Sequence, residues 1–272
     1  MPQTQLSAKT PLQRLEDSIL ESAKYRHVSK DLILRLGEKE LHKRKNLKEA
    51  IKETKNTLHQ IAGAYLDNLP PYAKWIAELE RLQGDSAEIQ EALKRMMTSH
   101  SSTRERLPHF HNFYAKTVSE IGSVESVIDL ACGLNPLALS FLPLSAGASY
   151  FAYDLYGDMI SFLNAYFALT LPGGYAEARD VVANPPTQPV QLALILKFLP
   201  VLEQTEKEKT LNWLKSINAN YFLISFPTKT LSGRSMRMAE NYEKQFCEVL
   251  QQPNWNYKRI LFDNELCYLI EV

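Results

Sequence analysis

From Pro11 to about Gln83 the apolar residues recur at helical spacing. Leu12, Leu15, Ile19 and Leu20 share one face, and Leu32, Leu34 and Leu36 follow Ser29, a candidate N-cap. Leu47, Ile51 and Leu58 continue the pattern, and Ile61, Ala64 and Tyr65 prolong that helix until Asn68-Leu69-Pro70-Pro71 stops it. Two more helices are predicted over 72–83 and 86–97, and no strand pattern precedes residue 120. Beyond it, short β-branched and aromatic runs at 126–132, 150–155, 176–181, 190–198, 221–226, 259–262 and 266–270 alternate with helical segments at 136–142, 158–169, 203–217 and 236–250. This series closes in a hairpin near Asp263-Asn264 and predicts an α/β fold: a Rossmann-like, mainly parallel, doubly wound sheet of seven strands whose last is antiparallel. The chain is expected to divide into a helical unit, 1–106, and an α/β domain, 107–272.

One stretch organises the second half: Val127-Ile128-Asp129-Leu130-Ala131-Cys132-Gly133-Leu134-Asn135-Pro136-Leu137. It reads as a buried strand, a small-residue turn and a helix, with Asn135 as N-cap and Pro136 in the first helical position. Ala131, Cys132 and Gly133 carry so little side chain that a ligand can approach the backbone at the carboxyl end of the sheet, where cofactors sit.

The 272 residues hold one large domain or two modest ones, and their charges sum to zero. The charge is unevenly spread. Residues 24–55 hold 11 Lys+Arg against 5 Asp+Glu, so an anionic partner would meet the helical unit. Its densest basic run is His42-Lys43-Arg44-Lys45, with Lys24, Arg26 and Lys30 upstream. It reads either as a solvated helix face or as a surface for phosphate backbones. Three cysteines form no CxxC pair, which suits a reducing compartment. No signal peptide is visible and no apolar run is long enough to span a membrane, so a cytoplasmic protein is expected. His109 and His111 diverge on a helix with no third ligand nearby, so no metal site is expected.

Two acids fall where a cofactor site needs them. Asp154 ends the second predicted strand, where a carboxylate can accept both hydroxyls of a ribose, and Asp180 ends the third, where it can accept from an adenine amino group. Each also reads as an ordinary strand-end Asp capping a turn. No GxGxxG fingerprint and no GxxxxGK[ST] phosphate loop occurs, which removes support for nicotinamide and nucleoside-triphosphate chemistry. Asn184-Pro185-Pro186 precedes the fourth strand and lacks a following aromatic, so it reads as a loop. The fourth strand ends in Leu196-Lys197-Phe198, a cation beside an aromatic, which is either part of a catalytic rim or a snorkelling Lys beside a core Phe. Between the fifth strand and its helix comes a basic, hydroxyl-rich loop, Phe226 to Arg237, suited to closing over a nucleic acid.

Several of these strings in order resemble one family: the aminoglycoside-resistance 16S ribosomal RNA (guanine-N7) methyltransferases of the Arm/Rmt type. They are His100-Ser-Ser-Thr103-Arg104-Glu105-Arg106-Leu107, Asp129-Leu-Ala-Cys-Gly-Leu-Asn-Pro-Leu-Ala138, Leu196-Lys-Phe-Leu-Pro200 and Ser225-Phe-Pro-Thr-Lys-Thr-Leu-Ser-Gly-Arg234 with Met238 and Asn241-Tyr242. Leu58-His-Gln-Ile-Ala-Gly-Ala-Tyr65 and Ser22-Ala-Lys-Tyr-Arg26 extend the similarity into the helical unit. The resemblance implies the class I S-adenosylmethionine-dependent methyltransferase fold and methylation of a guanine N7 in helix 44, the decoding-site helix of the 30S subunit, by an enzyme acting as a monomer. By carry-over, His100, Ser102, Thr103, Arg104 and Arg106 help to hold S-adenosylmethionine, with an arginine on its carboxylate. Ala131, Cys132, Gly133 and Asn135 lie under it, Asp154 and Leu155 at its ribose, Asp180 and Val181 near its adenine, and Lys197 and Phe198 beside it. Lys197, Arg234 and Met238 face the target guanine, while Lys24, Arg26, Lys30, Lys43, Arg44, Lys45, Lys229 and Arg237 contact RNA. Two other readings stay open: methylation of a small molecule with the helical part as a lid, and a ribosome-binding module without transfer activity.

These readings predict that Asp154→Ala abolishes cofactor binding; unchanged affinity by calorimetry refutes the role. Reversing Lys43, Arg44 and Lys45 to Glu is expected to weaken binding to the small subunit while sparing cofactor affinity, and equal subunit binding would reduce the cluster to a solvated face.

Overall fold

The computed structural model describes residues 9–63, 69–82, 86–205, 209–228, 237–251 and 255–272. The amino-terminal part is helical, as its periodicity predicts. Helix α1 (Pro11–Leu20) opens on a reciprocal cap in which the Gln13 amide donates to Thr10 Oγ1 and the Thr10 amide to Gln13 Oε1. Helix α2 (Lys30–Lys43) and helix α3 (Leu47–Leu58) follow; Asn46 caps α3 through its side chain and a π turn at His59–Gly63 extends it. Helices α4 (Tyr72–Arg81) and α5 (Ser86–Met97) complete the unit, and short helices α6 (Ser101–Arg106) and α7 (Phe110–Thr117) lead into the sheet. The expected extension of α3 through Ala64 and Tyr65 lies outside the described residues.

Strands β1 (Val124–Leu130), β2 (Leu144–Asp154), β3 (Gly174–Ala178), β4 (Val190–Leu196), β5 (Ala219–Pro227), β6 (Asn256–Leu261) and β7 (Glu265–Glu271) form one sheet in the order β3-β2-β1-β4-β5-β7-β6. The first five in that order pair in parallel, and β7 inserts antiparallel between β5 and β6. Connecting helices are α8 (Gly157–Thr170), α9 (Leu199–Thr205), α10 (Thr210–Lys215) and α11 (Arg237–Gln251). The segment expected as one helix over 203–217 is thus two short ones among the described residues. Period-two burial sorts the strands onto two cores. On β4, Leu192, Leu194 and Leu196 join one apolar cluster while Ala193 and Ile195 join the other, because successive side chains of a strand point to opposite faces. Strand order reverses between β1 and β4, and the crevice outside their carboxyl ends is where such sheets hold ligands.

The helical unit is not a detached lobe. Leu15, Ile19, Leu32, Ile33 and Ala50 belong to the same buried cluster as Val127, Phe162 and Leu192. Tyr72 of α4 stacks on Phe162 of α8 with ring centroids 5.2 Å apart. Backbone hydrogen bonds stitch the units at the end of β2: the Ser29 amide donates to Leu155 O at 2.7 Å and the Gly157 amide to His27 O at 2.7 Å. Ser29 precedes α2 as expected but makes no side-chain cap; its amide is bonded to Leu155 just past β2 instead.

Candidate active site

The site grows from the end of β1. Ala131 and Gly133 have φ of 56° and 51°, so the chain turns down through the left-handed region directly after the strand. Cys132 stays in register with β2, its amide donating to Tyr153 O at 3.0 Å. The Gly133 amide donates to Asp154 Oδ2 at 2.8 Å and the Leu155 amide to Asp154 Oδ1 at 2.6 Å. Glycine is doubly required at 133, for its positive φ and because a Cβ there would sit 2.7 Å from Cε1 of His100. At the end of β4, Lys197 also has φ of 61°. Two non-glycine residues in this costly conformation at adjacent strand ends mark where backbone strain is concentrated.

These strand ends open onto a cavity. Asp154, Leu155 and Tyr156 line one edge, and Val181, Val182, Phe198 and Val201 form an apolar slot. His100, Ser102, Ala131 and Lys197 line the part nearest the corner. The remaining wall comes from the helical unit: Leu32, Arg35 and Ile61. Burial pushes the Asp154 carboxyl up, against the backbone amides that favour its ionised form.

Behind the cavity lies a buried polar network. Arg106 on α6 is 1% exposed and donates Nη2 to Glu265 Oε1 at 2.5 Å, Nε to Glu265 Oε2 at 3.0 Å and Nη1 to Asn135 Oδ1 at 3.3 Å. Ser225 Oγ donates to Glu265 Oε1 at 2.5 Å, and Lys197 Nζ lies 2.6 Å from Glu105 Oε2 and 3.8 Å from Glu265 Oε2. Asn135 also accepts from the Tyr114 hydroxyl and donates to Asp129, which accepts from the Tyr150 hydroxyl at 2.6 Å. Burial pushes the Glu265 carboxyl up, but Arg106 and Lys197 outweigh it and hold it below the usual carboxylate range. Asp129 has donors but no cation bonded to it, and burial pushes it up to about 6.

Of the expected site residues, the fold brings His100, Ser102, Ala131, Asp154, Leu155, Asp180, Val181, Lys197 and Phe198 to the cavity wall. Gly133 does not line it: its amide is spent on Asp154 and the His100 ring packs against it. Others sit elsewhere. Asn135 does not cap a helix: Leu134 precedes the 3₁₀ segment Asn135–Phe141, and the Asn135 side chain is spent in the buried network. Arg106 is spent on Glu265 and does not line the cavity, so the guanidinium expected on a ligand carboxylate has a protein carboxylate instead. Thr103 is buried and donates to Met97 O at 2.6 Å, Cys132 is a buried thiol, and Arg104 is exposed with Nη1 donating to Thr98 O. Strand β3 ends at Ala178, so Asp180 lies in the turn beyond it, its Oδ1 accepting from the Val182 amide at 3.1 Å. Lys229 and Arg234 lie outside the described residues; Arg237 and Met238 begin α11.

Three residues escaped the sequence reading. Glu105 falls inside the Thr103–Leu107 string, where nothing in the chain marks it as a partner for Lys197. Glu265 is a charged residue opening a strand that is otherwise buried through Ile270, a pattern that signals an internal partner. Arg35 stands one turn after Leu32 on the inward side of α2, an arginine within an apolar stripe. On the outer surface, Lys24, Arg26, Lys30, Lys43, Arg44 and Lys45 are all exposed. Some of that charge is met locally: Arg44 Nε pairs with Glu40 at 2.8 Å, and Lys30 lies 3.7 Å from Glu16.

Residues 21–269 match the Ribosomal RNA methyltransferase (FmrO) family. The chain belongs to that family. It is 33% identical over 264 residues to a 16S rRNA (guanine(1405)-N(7))-methyltransferase of Micromonospora echinospora, with 96% of each chain covered. Among solved structures it resembles the 16S rRNA methyltransferase RmtF in complex with S-adenosyl-L-homocysteine, at TM-score 0.85 and 29% identity, covering 97% of this chain and 99% of that one. It also resembles the 16S rRNA methylase RmtB, at TM-score 0.80 and 28% identity, covering 96% and 98%. The sheet is thus that of the class I methyltransferases, as expected. In this rRNA methyltransferase the cavity has the chemistry an adenosyl group needs: a carboxylate, Asp154, on one edge and apolar side chains wide enough for a flat ring on another. Among the described residues no His/Cys/Asp/Glu group could hold a metal, and no helix is long and apolar enough to cross a membrane.

The Asp129 result carries a pH signature. Its folded-state pKa lies above its ordinary 3.8, so between about pH 4 and 6 the folded chain binds the extra proton and this residue's contribution to stability falls as pH rises. Asp129→Asn is expected to flatten that part of the profile, by at most about 3 kcal/mol across the window. Urea melts at stepped pH measure it; identical slopes in the two proteins would show that Asp129 does not titrate there.

Proposed function

We propose that this chain transfers the methyl group of S-adenosylmethionine to N7 of guanine 1405 of 16S rRNA within the 30S subunit, and so protects the ribosome from deoxystreptamine aminoglycosides. The observation that carries this reading is the extent of the match. Many methyltransferases share the sheet, but here the similarity to named rRNA methyltransferases runs through the helical unit as well. That unit bears the exposed basic residues a folded RNA requires.

The reaction asks little acid–base chemistry of the protein. Guanine N7 has a free lone pair and no proton to lose, and bound S-adenosylmethionine supplies an already activated methyl group. What remains is alignment and exclusion of water. Asp154 takes the ribose hydroxyls, while the slot of Val181, Val182 and Phe198 takes the adenine ring. Arg234 and Met238, from the segment after β5, face the target base or its phosphates, while Lys197, expected beside them, has its ammonium held by Glu105 and Glu265 and serves the cavity wall. Drawing that base out of its stack costs a few kcal/mol, offset by cationic contacts to the backbone. Lys24, Arg26, Lys30, Lys43, Arg44, Lys45, Lys229 and Arg237 supply those contacts on helix 44, and the enzyme works in the cytoplasm as a monomer.

Intact 30S subunits incubated with methyl-labelled S-adenosylmethionine and the protein are expected to yield labelled 16S rRNA, with borohydride–aniline cleavage and primer extension stopping at guanine 1405. Label in a small product would favour a small-molecule substrate. Subunit binding without label would leave a binding module.

A further inference from the structure

The helical unit was expected to meet RNA, yet it also builds one wall of the cavity. Its first contact is the backbone pairing of His27 and Ser29 with the residues just after Asp154. That pairing fixes where α2 begins, and one turn later Leu32 and Arg35 reach the cavity side by side. Arg35 Nε donates to Asp180 Oδ2 at 2.7 Å. Asp180 is 2% exposed, and its other oxygen accepts from the Val182 amide. The second arginine at this end, Arg179, is committed elsewhere: both its Nε and Nη2 bond Glu177 at 2.8 Å, and its guanidinium lies 4.9 Å from the Tyr153 ring centroid. So the cation on the Asp180 carboxylate comes from outside the sheet, across 145 residues of chain.

We propose that Arg35 is a positioning residue of the cofactor site: it aims the buried Asp180 carboxylate so that a free lone pair of Oδ2 meets the exocyclic amino group of the adenine ring. This rests on reading the cavity as the S-adenosylmethionine site. The turn supplies two donors, the amides of Val182 and Ala183, and both donate to Oδ1, at 3.1 and 3.4 Å, so the oxygen that Arg35 bonds is the one left for a ligand. Without Arg35 the two amides still hold Oδ1, but Oδ2 loses the donor that aims it and the carboxylate stops reading the ligand. The charge-assisted bond from α2 thus converts a turn-capping aspartate into a selective acceptor.

The test compares S-adenosylhomocysteine with S-inosylhomocysteine, which lacks the amino donor, by calorimetric titration of the full chain. The wild-type protein is expected to prefer the adenosyl compound by about tenfold or more, because a buried acceptor left without its donor is costly. Arg35→Ala is expected to lose that preference, to within about threefold, mainly through weaker binding of the adenosyl compound. Arg35→Lys, which keeps one donor and the charge, should fall between. Thermal melts of the same samples show whether the variants fold, and the Lys variant serves if the Ala variant does not. Loss of affinity for both ligands by one common factor would reduce Arg35 to a structural clasp and overturn the proposal. A wild-type protein without preference overturns it too, while a wild-type protein that binds neither ligand brings down the cofactor reading itself.

Discussion

A single buried carboxylate, that of Glu265, holds the site's framework together. It opens β7, yet it receives the guanidinium of Arg106 from α6, the hydroxyl of Ser225 from β5 and, at longer range, the ammonium of Lys197 at the end of β4. Carboxylate and guanidinium are each 1% exposed, so each has given up its water and depends on the other. Removing either partner of such a pair typically costs 3–5 kcal/mol, because an uncompensated charge stays behind. Through these bonds the antiparallel last strand, the switch-point strands and the helix leading out of the helical unit are locked in one geometry, and the strained turn at Lys197 persists because its surroundings over-determine it.

The constraint explains how the cavity is built. Its sheet side consists of strand ends that turn sharply, at Ala131 and Gly133 on one strand and Lys197 on its neighbour. Its far side is borrowed from α2 and the π turn after α3. Because the helical unit shares a core with the sheet and pairs with the end of β2, the element with an exposed basic end also touches the ligand cavity. Arg35 lies in the cavity wall and Lys43 and Arg44 lie exposed at the far end of the same helix, about 12 Å further along its axis.

The order and type of nearly every element, the antiparallel closing hairpin and the small-residue turn after β1 were legible in the chain, though a 3₁₀ segment follows that turn where a helix was expected. Period-two and period-3.6 patterning report burial directly, and small residues at a strand end report close approach. Asp154 and Lys197 were legible as candidates for the same reason: each is the charged residue that ends an apolar strand run. Asn135 shows the limit. Its type and its place before Pro136 are those of a helix cap, yet a hydrogen-bonding side chain answers to whichever partners arrive in space, and Asp129, Tyr114 and Arg106 arrived first.

Local composition therefore determined where this chain forms strands and helices, where its backbone can approach a ligand, and which unit carries positive charge. Tertiary structure decided which charges stay free to act. Arg106 and Arg35 cannot be told apart by type, and either could bind an anion; one is buried against Glu265, 159 residues away, and the other is held on Asp180 at the cavity edge. Pairings over such separations depend on how the helices dock on the sheet, and that docking is set by the whole shared core rather than by any stretch that can be read on its own.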